Sequence, residues 1–380
     1  MKRGPCASVF LCEISFVFRL LCFSLAVYFP YRTRVYLQLE KVASYLIKLI
    51  LVICISLHLG MLTARADMRP VIVTTKDTKY SASFVETRFS FLEKVQQHWS
   101  LCVILPNTQD QYWLSVKEGL TSRAVELHMN VQIYSASGYG EGGAEQQRDI
   151  FEHRCIQENI DLILIAAIDE TKLYDLIDKA KQQKIIVVDF LNGFNAEPID
   201  AKISLDFSIM GRVAATFLKQ ELEKAPEDEV CLYWFPGPKT PEWSVQGNLG
   251  FQEVLRDYPL KTFKTLFGLP FIRGQSRLIL DHVETGNCTP YIAGTAPTAL
   301  AALQLKKQGF LPEKTQILAY YFDPRLLRSL KKGDLLAIVS DFPYEQARLS
   351  IDYSALLLQR EAPFFQIAIK PKILTNMNLN

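Results

Sequence analysis

The chain has 380 residues, 49% hydrophobic and 22% charged, with a formal net charge of +2. Of its 42 basic and 40 acidic residues, eight basic and two acidic precede Asp67, so the remainder holds 34 against 38, a formal charge of −4. A weakly acidic remainder without basic clusters excludes a nucleic-acid footprint. The 314 residues from Asp67 onward suffice for two domains with proper cores.

Residues 1–66 read as a targeting region. Lys41 and Lys48 flank an apolar run over 49–62, and Ala64-Arg65-Ala66 supplies the small-x-small pattern of a signal-peptide cleavage site near 66/67. The run is short for a membrane span. A second apolar stretch over 9–28 precedes it, which fits a translation start nearer residue 40 or a tandem membrane segment. The four cysteines beyond Asp67, namely Cys102, Cys155, Cys231 and Cys288, show no CxxC spacing and no Cys–His pattern that suggests a zinc site, so structural disulfides are expected rather than a metal site.

From Trp99 the chain alternates short apolar runs with amphipathic ones. Strands are predicted over 101–105, 131–134, 162–166 and 185–188, with helices over 112–127, 143–158 and 170–183 between them. Continuous apolar strands separated by helices mean a parallel sheet covered on both faces. The series restarts with a short strand at 203–205, helix 208–224 and strand 230–235. It continues through strand 289–293, helix 296–308, strand 316–321, helix 324–332, strand 335–340, helix 343–359 and strand 364–369. The fold class is therefore α/β, with two doubly wound, Rossmann-like lobes joined by a hinge. The expected division places 99–195 and 322–341 in the first lobe, and 203–321 and 342–370 in the second.

Several chemistries can be weighed against the residues. Gly138, Gly140 and Gly143 fit G-x-G-x-x-G, with Asp161 beyond, but Glu141 and Glu145 would repel a pyrophosphate there. An ordinary strand-to-helix turn is the better account, and no cofactor is expected. The chain has no G-x-S-x-G elbow and no H-E-x-x-H, and the four His residues beyond Asp67, at 98, 128, 153 and 282, are scattered. Aromatic residues instead gather at predicted strand ends: Tyr112-Trp113, Tyr139, Phe190, Phe194, Phe207, Trp234-Phe235, Trp243 and Tyr320-Tyr321-Phe322. In open α/β sheets ligands bind outside the carboxyl ends of the strands. An aromatic-walled cleft suits a sugar, or a methylated amine whose positive methyl shell is drawn to ring faces.

On these residues, 99–370 resembles the ribose-type periplasmic binding proteins of type I, LacI-like fold. Tyr112-Trp113 falls where that family carries its stacking pair, and 203–206 resembles its hinge strand. Sugar binders of the family carry Asp-Arg where this chain reads Asp189-Phe190, and a ligand-gripping Asp where it reads Tyr321. Losing both charged grips argues against a free sugar. Segments in both lobes, among them Leu101-Cys102, Gly138-Tyr139, Met210-Gly211 and Ser340-Asp341, are similar to the branch of the family that senses trimethylamine N-oxide.

That resemblance implies a non-enzymatic sensor in the periplasm that binds trimethylamine N-oxide, or a related small methylated ligand, between its lobes. It implies docking on the periplasmic domain of a membrane histidine kinase, with hinge closure as the switch. Carried over by motif, Tyr112, Trp113, Tyr139 and Tyr321 line the cage, with Phe207, where a Trp is expected, and Asp341 beside them. It also implies a Cys102–Cys155 bridge, leaving Cys231 and Cys288 for the second lobe. The competing readings are a solute receptor of an ABC transporter for a small or modified sugar, and a dinucleotide-using enzyme.

Overall fold

The computed structural model of the protein describes Lys48 and residues 70–379, except 82, 157–158, 195–198, 225–229 and 287. Apart from Lys48, the predicted targeting region and its cleavage site lie outside the described residues. Pro70–Asn380 form one compact unit. Among the described residues no helix is long and apolar enough to cross a membrane.

That unit holds two sheets. The first runs in the order β2-β1-β13-β7-β6-β5-β3-β4. Its strands are β1 (Val71–Lys76), β2 (Val85–Phe89), β3 (Ser100–Leu105), β4 (Asn130–Ser135), β5 (Leu162–Ile165), β6 (Ile186–Phe190), β7 (Ala201–Ile203) and β13 (Gln366–Ile369). The second runs β14-β12-β11-β10-β8-β9. It comprises β8 (Val230–Phe235), β9 (Thr262–Thr265), β10 (Thr289–Thr295), β11 (Gln316–Tyr320), β12 (Ala337–Ser340) and β14 (Lys372–Leu374). Pairing is parallel except for the β1–β2 hairpin, its contact with β13, and β14 on β12.

Helices cover both sheets. They are α1 (Gln111–Glu126), α2 (Glu141–Ile150), α3 (Tyr174–Gln182), α4 (Phe207–Leu222), α5 (Glu242–Leu255), α6 (Ile272–His282), α7 (Ala296–Lys307), α8 (Leu327–Lys332) and α9 (Pro343–Leu358). The second sheet shows how alternation builds two cores from one strand. Leu232 and Trp234 of β8 point to Met210, Ala214 and Phe251 of α4 and α5. Cys231, Tyr233 and Phe235 point the other way, to Ile279, Ala299 and Leu330 of α6, α7 and α8. Helices α4 and α5 approach backbone to backbone: a Cβ on Gly211 would lie 2.0 Å from the Gly247 carbonyl oxygen. Disulfides Cys102–Cys155 and Cys231–Cys288 tie one strand of each sheet to its surroundings, with Cα separations of 5.6 and 5.7 Å.

The two doubly wound sheets agree with the predicted fold class, and the predicted elements lie within a few residues of those observed. The division of the C-terminal part needs correction. Strand β12, placed by sequence in the first lobe with 322–341, pairs with β11 and β14 of the second sheet. Strand β13, placed with 342–370 in the second lobe, pairs with β1 and β7 of the first. The cause is helix α9, which packs on α1. Arg123 makes a bidentate contact with Asp352 (Nε–Oδ2 2.6 Å, Nη2–Oδ1 2.7 Å), and Arg348 pairs with Glu126 at 2.7 Å. The chain thus crosses between sheets at 204–206, 341–342 and 370–371.

Candidate functional site

Six aromatic side chains line one cavity outside the carboxyl ends of the strands, and five of them, Tyr112, Trp113, Tyr139, Trp243 and Tyr321, meet ring to ring. Tyr112 and Trp113 stand in the first turn of α1, directed there by its cap. The Asp110 carboxylate accepts from the Trp113 N–H at 2.9 Å, while Asn107 Oδ1 accepts from the amides of Gln109 and Asp110. Tyr139 follows β4 on a turn whose Gly138 and Gly140 take φ of 118° and 130°, open to glycine without penalty. Its hydroxyl donates to Asn192 Oδ1 at 3.1 Å, and Asn192 Nδ2 donates to the Ala167 carbonyl at 2.8 Å. Tyr321 follows β11 at φ 81°, a left-handed conformation that a bulky residue keeps only when its surroundings enforce it. Its N–H donates to the Val339 carbonyl at 3.1 Å, which holds the strained turn. Trp243 opens α5.

The rings meet edge to face. Tyr112 lies 5.1 Å from Trp113 and 6.0 Å from Tyr321, while Trp243 lies 5.4 Å from Tyr321 and 5.9 Å from Tyr139. The pairing joins the five rings into one aromatic wall, and aromatic rings attract a positive methyl shell. Pro270, Thr295, Pro297 and Phe322 complete the wall, with Asp323 and Arg325 among the lining residues. The cavity holds about 80 Å³, well below the roughly 300–1,000 Å³ of pockets for drug-sized ligands. Its guest is a molecule of few heavy atoms.

Burial sets the electrostatics. It lifts the Tyr112, Tyr139 and Tyr321 phenols far above their usual value, so all three are neutral donors near pH 7. The Tyr321 hydroxyl lies beside that of Tyr320, and the Trp243 indole N–H beside the Tyr139 hydroxyl, but neither contact has hydrogen-bond geometry. Tyr112 and Tyr139 already donate to Asp341 and Asn192, so the donors the cage presents to an acceptor oxygen are the Tyr321 hydroxyl and the Trp243 indole N–H. Burial also raises the Asp110 carboxyl, against the hydrogen bonds that hold it down. Arg325 is held by Asp323 in a bidentate contact of 2.6 and 3.0 Å. Among the described residues no group of three His, Cys, Asp or Glu is arranged to hold a metal ion.

The structure brings Tyr112, Trp113, Tyr139 and Tyr321 together on the cavity. Asp341 stands behind Tyr112, whose hydroxyl donates to its Oδ2 at 2.6 Å. Phe207 does not reach the cavity. As the first residue of α4, capped by Asp206, it turns into the core beside Met210. Trp243 is the wall that motif reasoning left out, although its aromatic character near a strand end was visible. Of the three glycines that fit G-x-G-x-x-G, Gly138 and Gly140 form the turn that carries Tyr139 and Gly143 lies within α2, while Asp161 accepts from the Ser100 N–H at 2.8 Å as a sheet strap.

The profile of the periplasmic binding protein domain matches residues 101–362. The periplasmic protein TorT of Escherichia coli K12 is 24% identical over 285 residues, covering 75% of this chain and 80% of TorT. An ABC transporter solute-binding protein from Bradyrhizobium sp. BTAi1, solved with bound bis-tris, is 28% identical with a TM-score of 0.69, covering 82% of this chain and 93% of that one. A complex of the TorS sensor domain with TorT, solved without ligand, gives a TM-score of 0.64 at 21% identity, covering 74% of this chain and 94% of that one. A match over most of the chain, two doubly wound sheets and a small cavity at their strand ends say the same thing: the chain belongs to the periplasmic binding protein family.

Proposed function

We propose that this protein is a periplasmic receptor that closes on trimethylamine N-oxide, or a similarly small methylated ligand bearing an acceptor oxygen, and reports it to the periplasmic domain of a sensor histidine kinase. The observation that carries the reading is the ring cage around a cavity of about 80 Å³. Five aromatic rings with neutral donors suit a methyl shell and one oxygen, and the family's Arg grip is replaced by Phe190. The kinase partner is supported by the likeness to TorT, which has been solved in complex with the TorS sensor domain. Binding shifts an open–closed equilibrium by its differential affinity for the closed form, and the closed surface is what a partner reads. No catalytic step is assigned to the site. Export through the 41–66 segment completes the reading, and a mature N-terminus at Asp67 is its check.

One observation favours a second reading, a receptor feeding an ABC transporter. Asp323, Arg325 and Asp110 bring charge to the cavity, as polyol recognition requires, and the Bradyrhizobium relative is an ABC transporter solute-binding protein. Calorimetry of the exported protein with trimethylamine N-oxide, choline and D-ribose separates the two. Heat from the N-oxide, and none from ribose, is the expected result. Binding of ribose alone overturns the sensor reading.

A further inference from the structure

The face where the lobes meet carries a charged cluster that the ligand cage does not use. Loop 191–193 follows β6 of the first lobe, and against it rests the first turn of α5 from the second. The Trp243 N–H donates to the Asn192 carbonyl at 3.3 Å. The Glu242 carboxyl lies on Gly193, at φ 85°, where a Cβ would come within 2.3 Å of its Oε2. That oxygen has no hydrogen-bond partner among the described residues and lies 3.5 Å from the Lys202 ammonium, with both side chains largely covered. Lys202 in turn is the register partner of Asp189 on the neighbouring strand. Asp189 is fully buried, accepting from Ser204 Oγ at 2.6 Å and the Gly193 N–H at 3.1 Å. Two carboxyls thus share one ammonium at a face that exists only while the lobes are together.

We propose that lobe closure takes up a proton at Glu242, so that acid favours the closed, ligand-holding form. The inference rests on the closing-receptor reading. Asp189 is built into the first lobe and keeps its partners whether the lobes are open or closed. Glu242 rides on the second lobe and meets Lys202 and Asp189 only on closing. One ammonium cannot compensate two buried carboxylates; burial raises the Asp189 carboxyl too, against Lys202 and its Ser204 and Gly193 donors, but those surroundings belong to the first lobe, whereas those of Glu242 change on closing. Other charges bear on the site: Glu170 acts on Glu242 from the turn at 170–172, while Lys76, Lys79 and Asp206 line the adjoining cavity of about 480 Å³. That cavity gives water, and hence protons, a route to the cluster.

The sign follows from the carboxyl's surroundings. Burial first, then Asp189 and Glu170, lift Glu242 to about 7 in the closed form, with Lys202 opposing. Exposed on an open lobe, the same group has its ordinary value near 4.5. A group whose value rises on closing favours the closed form below that raised value, and the advantage is lost as pH climbs through about 7. Because Trp243 is the next residue and forms a wall of the cage, the proton acts directly on the geometry that holds the ligand.

Calorimetric titration with trimethylamine N-oxide at pH 6 and pH 8 tests this, each in two buffers of different protonation enthalpy. Expected is about tenfold tighter binding at pH 6, with buffer-dependent heat from proton uptake. Glu242→Gln removes both effects while still binding. The difference between the two proteins is what is read. Equal affinity at both pH values in the unaltered protein overturns the inference and leaves the functional reading standing. If the N-oxide does not bind, the functional reading falls, and X-ray scattering of the ligand-free proteins decides the inference separately. Compaction of the unaltered protein from pH 8 to pH 6, absent in Glu242→Gln, supports it, and indistinguishable curves overturn it.

Discussion

Asp341 shows how much a single side chain can constrain the site. It is fully buried, Tyr112 donates to one of its oxygens, and the other has no partner among the described residues. Burial pushes its carboxyl up to about 6, against the Tyr112 hydrogen bond and its own backbone contact. Because the folded value lies above the unfolded one, near 3.8, the native state is favoured in acid and loses that advantage as pH rises through about 6. Asp341→Asn keeps an acceptor for Tyr112 and removes the charge. We expect the stability of the unaltered protein relative to Asp341→Asn to fall by about 2 kcal/mol between pH 4.5 and pH 8. Urea unfolding at the two pH values measures it, and a constant difference would refute the assignment. For the cage itself, Trp243→Ala removes one ring face and should weaken binding of a methylated amine by about tenfold. Phe207→Ala, acting in the core, should lower stability and leave affinity nearly as it was. The reverse pattern in calorimetry would return Phe207 to the cage.

Between elements, the contact of α1 with α9 decides which lobe the C-terminal helix joins. Arg123 and Asp352 are both almost fully covered, and Asp352 also accepts from the Leu92 N–H at 2.6 Å. Removing one partner leaves a buried charge uncompensated, so Asp352→Ala should destabilise by about 3–5 kcal/mol. A loss below about 1 kcal/mol in urea unfolding would mean that α9 is held chiefly by its apolar contacts. This pair also explains what could and could not be read from sequence. Strands such as β5 and β8 were legible because continuous apolar runs have few other uses. Sheet membership of β12 and β13 was not, because both are short, fully buried and mostly apolar, and either would satisfy either sheet. The deciding contact joins residues 229 positions apart in the chain. The β1–β2 hairpin escaped because two short antiparallel strands leave little periodicity. In the site, Tyr112, Trp113, Tyr139 and Tyr321 were found as aromatics after strands. The same signal misplaced Phe207, since a strand end that is immediately capped as a helix turns its first side chain inward.

For the whole molecule, the cavity draws on both lobes: Tyr112, Trp113 and Tyr139 come from elements on the first sheet, and Trp243, Thr295 and Tyr321 from elements on the second. Three short crossings are the covalent links between them, and two of these, at 204–206 and 341–342, lie directly beside residues that brace the cage or the lobe face. A ligand held this way stabilises both lobes by the same free energy, since loss of either destroys the site. At a free ligand concentration of about 100 times Kd that free energy is about 2.7 kcal/mol. Spread over the unfolding entropy of roughly 300 ordered residues, it should raise the thermal midpoint by about 4 °C. Scanning calorimetry makes the distinction sharp. If the lobes unfold separately without ligand, saturating trimethylamine N-oxide should move both transitions up or merge them. A ligand that touched one lobe alone would move one transition and leave the other in place, and that outcome would remove the basis for lobe closure as the signal.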